Sequence, residues 1–260
     1  NRFWVYQKSS CKSINSGIMK VIIQNDLFDR SYEVFSSASE EHGIQFIQTN
    51  VLDEASMLKH HANGAKCFVI GAEAYSRRFY SSLEEGSAVI RYGVGYNAVP
   101  LDICKERKIK VGYTPGTLTD SVAEHTFALL LALARKIPTL HQSMMDGRWK
   151  GQTGMELKDK TIAIIGFGQI GRAVARIAKY GFGMNVNAYD IRKVSDPDLC
   201  DLSSDNFEES VRDADVVSLH LATLPSTVGF VNAERIKQMK DGVIFINTAR
   251  GELVVENDLY

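Results

Sequence analysis

Long apolar runs are the first thing this sequence lacks. The longest uninterrupted one, Phe127 to Ala134, is far too short to span a bilayer, which excludes a simple transmembrane helix. An excess of charge of one sign is missing too. Lys and Arg total 30 against 31 for Asp and Glu, so nothing in the charge balance calls for nucleic acid or an anionic membrane as partner. Cysteine is sparse: Cys11, Cys67, Cys104 and Cys200 lie far apart and form no C-x-x-C pair. They read as free thiols in a reducing compartment, and no metal site is expected. There is no secretory signal, internal repeat or low-complexity tract, and the expected setting is the cytoplasm. What is present is 260 residues, 45% hydrophobic and 23% charged, enough for one large or two ordinary globular domains.

One stretch organises the rest. Lys160 to Asp190 opens with an apolar run, Ile162 to Ile165, followed at once by Gly166-Phe-Gly168-Gln-Ile-Gly171. A helical pattern places Ala173, Val174, Ile177 and Ala178 on one face, and a second strand-like run, Val186 to Tyr189, ends on Asp190. A bare G-x-G-x-x-G is weak. Between a strand and a helix, with an acid 19 positions past the last glycine, it is a dinucleotide fingerprint. Gly166 permits the tight turn, Gly168 lets backbone approach a pyrophosphate, and Gly171 lets the helix pack on the strand. The helix start offers unpaired N–H groups and the positive end of its dipole. Asp190 would accept hydrogen bonds from the adenosine ribose and repel a 2′-phosphate, which favours NAD over NADP. Arg192 and Lys193 keep NADP open.

Before that stretch, residues 1–18 show no clean periodicity, and Met19-Lys-Val-Ile-Ile reads as a start followed by a strand. The expectation is that residues 1–18 are not part of the fold. Strands are predicted at Lys20–Gln24, Ile44–Gln48, Lys66–Ile70, Ala88–Arg91 and Lys110–Gly112, with amphipathic segments such as Ser31–His42 and Leu101–Arg107 between them. Such alternation implies a parallel sheet covered by helices on both faces. Gly93-Val94-Gly95 follows a strand, so it is either a plain turn or a pair of backbone donors at the end where such sheets bind ligands.

Thr114–Thr119 is a turn-rich hinge candidate. A long helix from about Asp120 follows, with Ser121 to Glu124 fitting a capping box and apolar residues nearly all round, so burial is expected. His125 on that helix reads as structural. Further strands are predicted at Asp215–Leu221 and Gly242–Thr248, with a helix at Ala233–Met239. Arg250 then follows a strand end. Its planar fork suits a carboxylate in the ligand crevice; the alternative is a surface arginine paired with Glu252.

Together these blocks resemble the D-isomer-specific 2-hydroxyacid dehydrogenases, with some likeness to the phosphoglycerate dehydrogenase branch. The matching residues are Arg91-Tyr-Gly-Val-Gly-Tyr-Asn97, Ser121-Val-Ala-Glu-His-Thr126, Leu157 to Arg172, Val217-Ser-Leu-His-Leu221 and Ile246-Asn-Thr-Ala-Arg-Gly-Glu252. The resemblance implies two doubly wound α/β domains, a flavodoxin-like substrate domain at 19–117 and a Rossmann NAD-binding domain at 118–260 lacking its last strands. It implies hydride transfer between nicotinamide and C2 of a D-2-hydroxy or 2-keto acid, 3-phosphoglycerate among the candidates. By position, Val94 and Gly95 would offer amides to the substrate carboxylate, and Arg250 would grip it and polarise the reacting carbonyl. Gln169 and Ile170 would line the pyrophosphate. Leu221, Ala222, Thr227, Thr248 and Ala249 would border the nicotinamide half. A homodimer through residues 120–155 of the NAD domain is implied as well.

Two departures stand out. Ala222 replaces the family's usual proline. The family's proton donor, a histidine with an orienting glutamate, falls tens of residues beyond the arginine, whereas this sequence ends at Tyr260. None of His42, His60, His61, His125, His141 and His220 has a sequence context suggesting a substitute. The 260 residues by themselves are therefore expected to bind NAD poorly and turn over slowly or not at all. The alternative is a non-catalytic NAD-sensing or corepressor-like protein of the same fold.

Overall fold

The computed structural model describes residues 18–192, 194 and 196–260. The extension expected at residues 1–18 therefore lies, but for Ile18, outside the described residues, as does Lys193. The chain divides into two compact units between Thr117 and Leu118.

The first unit is a five-stranded parallel sheet of β1 (Met19–Gln24), β2 (Ile44–Thr49), β3 (Cys67–Ile70), β4 (Ala88–Arg91) and β5 (Lys110–Tyr113). Its order is β2-β1-β3-β4-β5, that of a flavodoxin-like sheet. Its central strands are apolar on both faces because helices cover both: Ile22, Phe68 and Ile70 pack on one side, and Val21, Ile23 and Val69 on the other. The second sheet holds β6 (Thr161–Ile165), β7 (Asn185–Tyr189), β8 (Leu202–Ser204), β9 (Val216–Leu219) and β10 (Ile244–Asn247). All pair in parallel, in the order β10-β9-β6-β7-β8. Counted from β6 this is 3-2-1-4-5, the first five places of the Rossmann order, and the direction of winding reverses between β6 and β9. Both units are doubly wound α/β folds.

Several boundaries differ from the periodicity reading. The strand expected at Asp215–Leu221 spans only Val216–Leu219; Asp215, just before it, sets its carboxylate on the Thr161 amide (3.0 Å) and the Lys240 ammonium (2.6 Å). The helix expected at Ala233–Met239 ends at Ile236, where the chain tightens into i→i+3 bonds, Gln238 to Arg235 and Met239 to Ile236. β8 escapes prediction because its residues, Leu-Ser-Ser, are too short and polar to show a period.

The helix at Thr119–Ala134 corrects two expectations. It begins before Ser121, its N-cap is Leu118 without a side-chain hydrogen bond, and no capping box forms. Nor is it buried all round. Ala123, Thr126, Phe127, Leu130 and Ala134 face the core of the second unit, while Leu129 and Leu133 are 38% and 52% exposed. Apolar residues on both faces imply burial on both, yet this chain covers only one.

Candidate functional site: a glycine turn at the switch point of the second sheet

The turn after β6 is built from glycines with different jobs. Gly166 has φ +99°, and a Cβ there would lie 2.7 Å from the His220 carbonyl oxygen and 2.9 Å from the Leu221 nitrogen. Any side chain would wedge the turn off the end of β9. At Gly171 a Cβ would run into the Gly166 carbonyl, so the helix Gln169–Arg176 can sit close on the turn only without one. Gly168 is unlike both. Its φ of −74° suits any residue, and a Cβ would meet nothing within 4 Å. No contact among the described residues requires glycine at that position, so the bare backbone leaves room for something outside it. Gly168 is also the N-cap of the following helix and supplies no side-chain cap, so the first-turn amides of Gln169 and Ile170 have no intrahelical acceptor. Open space in front of uncapped amides is what a pyrophosphate needs.

Asp190 stands at the end of β7, its side chain 11% exposed. Its Oδ2 accepts from the Phe167 amide (3.0 Å) and its Oδ1 from the Arg192 amide (2.9 Å), with the Arg192 Nε at 3.5 Å. The carboxylate is thereby tied to the glycine turn itself. Nothing in the sequence signalled the bond to Phe167.

Across the switch point, His220 follows β9 and its amide donates to the Ile165 carbonyl (2.7 Å). Its Nε2 lies 2.9 Å from the hydroxyl of buried Ser218, and desolvation holds its pKa down to about 4. A ring that is neutral at neutral pH has no proton of the required acidity to give. In the loop beyond, Leu221 is half-buried and Ala222 exposed. Thr227 spends its hydroxyl on the loop, donating to the Ala222 carbonyl (2.7 Å) and accepting from the Leu224 amide (2.8 Å). That clasp steadies the segment where the family's proline is missing.

At the end of β10, Asn247 folds the next three residues around its side chain: its Nδ2 donates to the Arg250 carbonyl (2.7 Å) and its Oδ1 accepts from the Ala249 amide (3.0 Å). Thr248 meets Thr126 of the long helix, hydroxyl to hydroxyl, at 3.0 Å. Arg250 is exposed and donates to the Ala249 carbonyl (2.7 Å), and among the described residues it makes no ion pair, with Glu252 or any other acid. Sequence reading missed Thr126 and Asn247; an asparagine at a strand end, which favours turns, was a usable signal for the second. Gly166, Gly168, Gln169, Ile170, Gly171, Asp190, Leu221, Ala222, Thr248, Ala249 and Arg250 thus all follow the carboxyl ends of strands of one parallel sheet, where ligands of such sheets bind.

In the first unit, Val94 and Gly95 follow β4 next to Gly93, whose φ is +139°. Their amides have no protein acceptor among the described residues. His61 is structural: its Nδ1 meets the Ala65 carbonyl (2.6 Å) and its Nε2 accepts from the Glu84 amide (3.0 Å). The only histidine–carboxylate pair among the described residues is His42 with Glu41, 3.9 Å apart and open to solvent.

Residues 127–260 match the sequence profile of the D-isomer specific 2-hydroxyacid dehydrogenase NAD binding domain. The chain belongs to that family. Among relatives of this chain, the hydroxypyruvate reductase of Thermotoga maritima is 41% identical over 174 residues, 66% of this chain and 56% of that protein. The glyoxylate reductase of Thermococcus litoralis is 37% identical over 181 residues, 66% of this chain and 54% of the relative. The D-3-phosphoglycerate dehydrogenase of Methanocaldococcus jannaschii is 31% identical over 248 residues, 94% of this chain and 46% of the relative. The chain spans about half the length of the curated relatives it matches. Among solved structures, D-lactate dehydrogenase from Aquifex aeolicus complexed with NAD and lactic acid superposes with a TM-score of 0.79 at 27% identity, covering 92% of this chain and 72% of that one. The cofactor of the matched domain is NAD, and the open space at Gly168, the uncapped helix and the anchored Asp190 fit it. No helix among the described residues is long and apolar enough to cross a membrane.

Proposed function

We propose that the protein is an NAD-dependent oxidoreductase acting between a D-2-hydroxy acid and its 2-keto acid. The observation that carries this reading is the Gly166–Gly171 turn at the reversal of the sheet, tied to Asp190 through the Phe167 amide, with unpaired Arg250 after β10 of the same sheet. When bound, the nicotinamide supplies or receives the hydride. This chain's residues hold and orient. Gln169 and Ile170 turn their amides to the pyrophosphate, and Asp190 receives the ribose hydroxyls. Leu221, Ala222 and Thr227 border the nicotinamide half from one loop and Thr248 and Ala249 from another. In the second unit Arg250 pairs with the substrate carboxylate, and in the first unit the amides of Val94 and Gly95 are open to an acid group. No histidine among the described residues is poised to exchange the substrate proton, so turnover by these 260 residues is proposed to be slow. A homodimer formed through the Thr119–Ala134 helix and the residues after it completes the proposal.

The named relatives point to small, unphosphorylated acids such as glyoxylate and hydroxypyruvate as first substrates to test, with the phosphorylated C3 acid beside them. The test is loss of NADH absorbance with each keto acid, for the chain and for Arg250→Ala. A charged hydrogen bond is worth about 1.5–3 kcal/mol, so Arg250→Ala should lower kcat/KM roughly tenfold to hundredfold while NADH affinity holds. Equal damage to both would refute the reading.

A further inference from the structure

Thr126 and Thr248 are 122 positions apart, yet their hydroxyl oxygens lie 3.0 Å from each other. A threonine hydroxyl has one proton to give. That of Thr126 is committed, because the Val122 carbonyl 2.8 Å away can only accept. The proton between the two threonines must therefore come from Thr248. Thr126 is completely buried, so water cannot replace it in this bond. Thr248 is half-buried, and with its proton turned inward its oxygen keeps only acceptor capacity. The residues after it are held from the other side by Asn247, which bonds both the Ala249 amide and the Arg250 carbonyl. The loop is thus clasped at both ends.

We infer that Thr126 is a positioning residue for the cofactor: by taking the proton of Thr248 it fixes that hydroxyl as an acceptor, matched to an N–H donor such as the carboxamide of nicotinamide, and holds Ala249 and Arg250 in register. This rests on the proposed assignment of Thr248 and Ala249 to the nicotinamide half. Without Thr126's oxygen the Thr248 hydroxyl is free to rotate and to present a proton where an acceptor is needed.

The 260-residue chain and its variants are titrated with NADH by fluorescence, and separately with ADP-ribose, which stops short of the nicotinamide. Thr126→Val should weaken NADH binding about fivefold, the effect of one neutral hydrogen bond, and leave ADP-ribose affinity unchanged. Thr126→Ser, which keeps the hydroxyl, should bind both as the unaltered chain does. Thr248→Val should lose as much as Thr126→Val, and the double variant no more than either alone, because all three remove one linked unit. Thr248→Val decides the matter if Thr126→Val does not fold. Equal loss of NADH and ADP-ribose affinity in the valine variants would reduce the pair to a packing contact and overturn the inference, as would no loss in either. An unaltered chain that binds ADP-ribose as tightly as NADH would instead remove the nicotinamide assignment beneath it.

Discussion

His220 shows how a side chain's surroundings can take it out of proton exchange. Its place at the end of β9 invites a catalytic role, yet desolvation keeps its ring neutral, with a pKa of about 4 against about 6.5 in an unfolded chain. The linkage has a definite sign. A histidine whose folded pKa is depressed adds stability that is fully present above about pH 6.5 and is lost as pH falls through about 4, because the unfolded chain takes up the proton first. At 1.36 kcal/mol per unit the loss approaches about 3 kcal/mol at the acid end. Urea unfolding at pH 7 and at pH 4.5 should show a larger drop for the unaltered chain than for His220→Asn. Equal drops would mean that the ring is not the acid-sensitive group. Asp190 makes the complementary point: the fingerprint predicts its role toward the ribose, but the bond from Phe167 was beyond sequence reading because main-chain amides leave no mark in residue identity.

At the scale of the element, the Thr119–Ala134 helix is the most informative difference between sequence and structure. Its composition announces a helix apolar nearly all round, and the chain buries one face only. Leu129 and Leu133 stay exposed, and Ile137, Met144, Met145 and Trp149 continue the exposed apolar surface through the helix Ile137–Met145 and beyond. Large exposed apolar patches are a common mark of association, in keeping with the proposed dimer. Leu129→Lys with Leu133→Lys should therefore shift sedimentation from dimer toward monomer while leaving the far-ultraviolet circular dichroism unchanged. A variant pair that sediments like the unaltered chain would set the dimer proposal aside. The strands were easier to read. Ile162–Ile165, Ile22–Ile23 and Phe68–Ile70 are runs with no polar interruption, the mark of parallel strands buried on both faces. Leu202–Ser204 was not legible, since it takes its strand character from pairing with Asn187–Tyr189 rather than from its own residues. Ser121 and Glu124 had the spacing of a capping box, but the helix had begun two positions earlier.

For the whole molecule, the division between Thr117 and Leu118 leaves every residue proposed to hold the dinucleotide in the second unit, from Gly166 through Asp190 to Ala249. That unit also has its own hydrophobic cores on both sides of its sheet. A chain starting at Leu118 should accordingly bind ADP-ribose with the affinity of the 260-residue protein, measured by calorimetry. A loss beyond about tenfold would mean that the first unit contributes to the cradle directly.

The approach of Gly166 to His220 and Leu221 has a consequence for how this protein can change over time. Both sides of this contact are made of main-chain atoms, with a carbonyl and a nitrogen on one side and a bare α-carbon on the other. Its width is therefore a property of covalent geometry, which substitutions around it leave alone. Neighbouring side chains are free to drift and retune what is bound, while the one hydrogen that keeps Gly166 from being alanine sets the gauge for all of them.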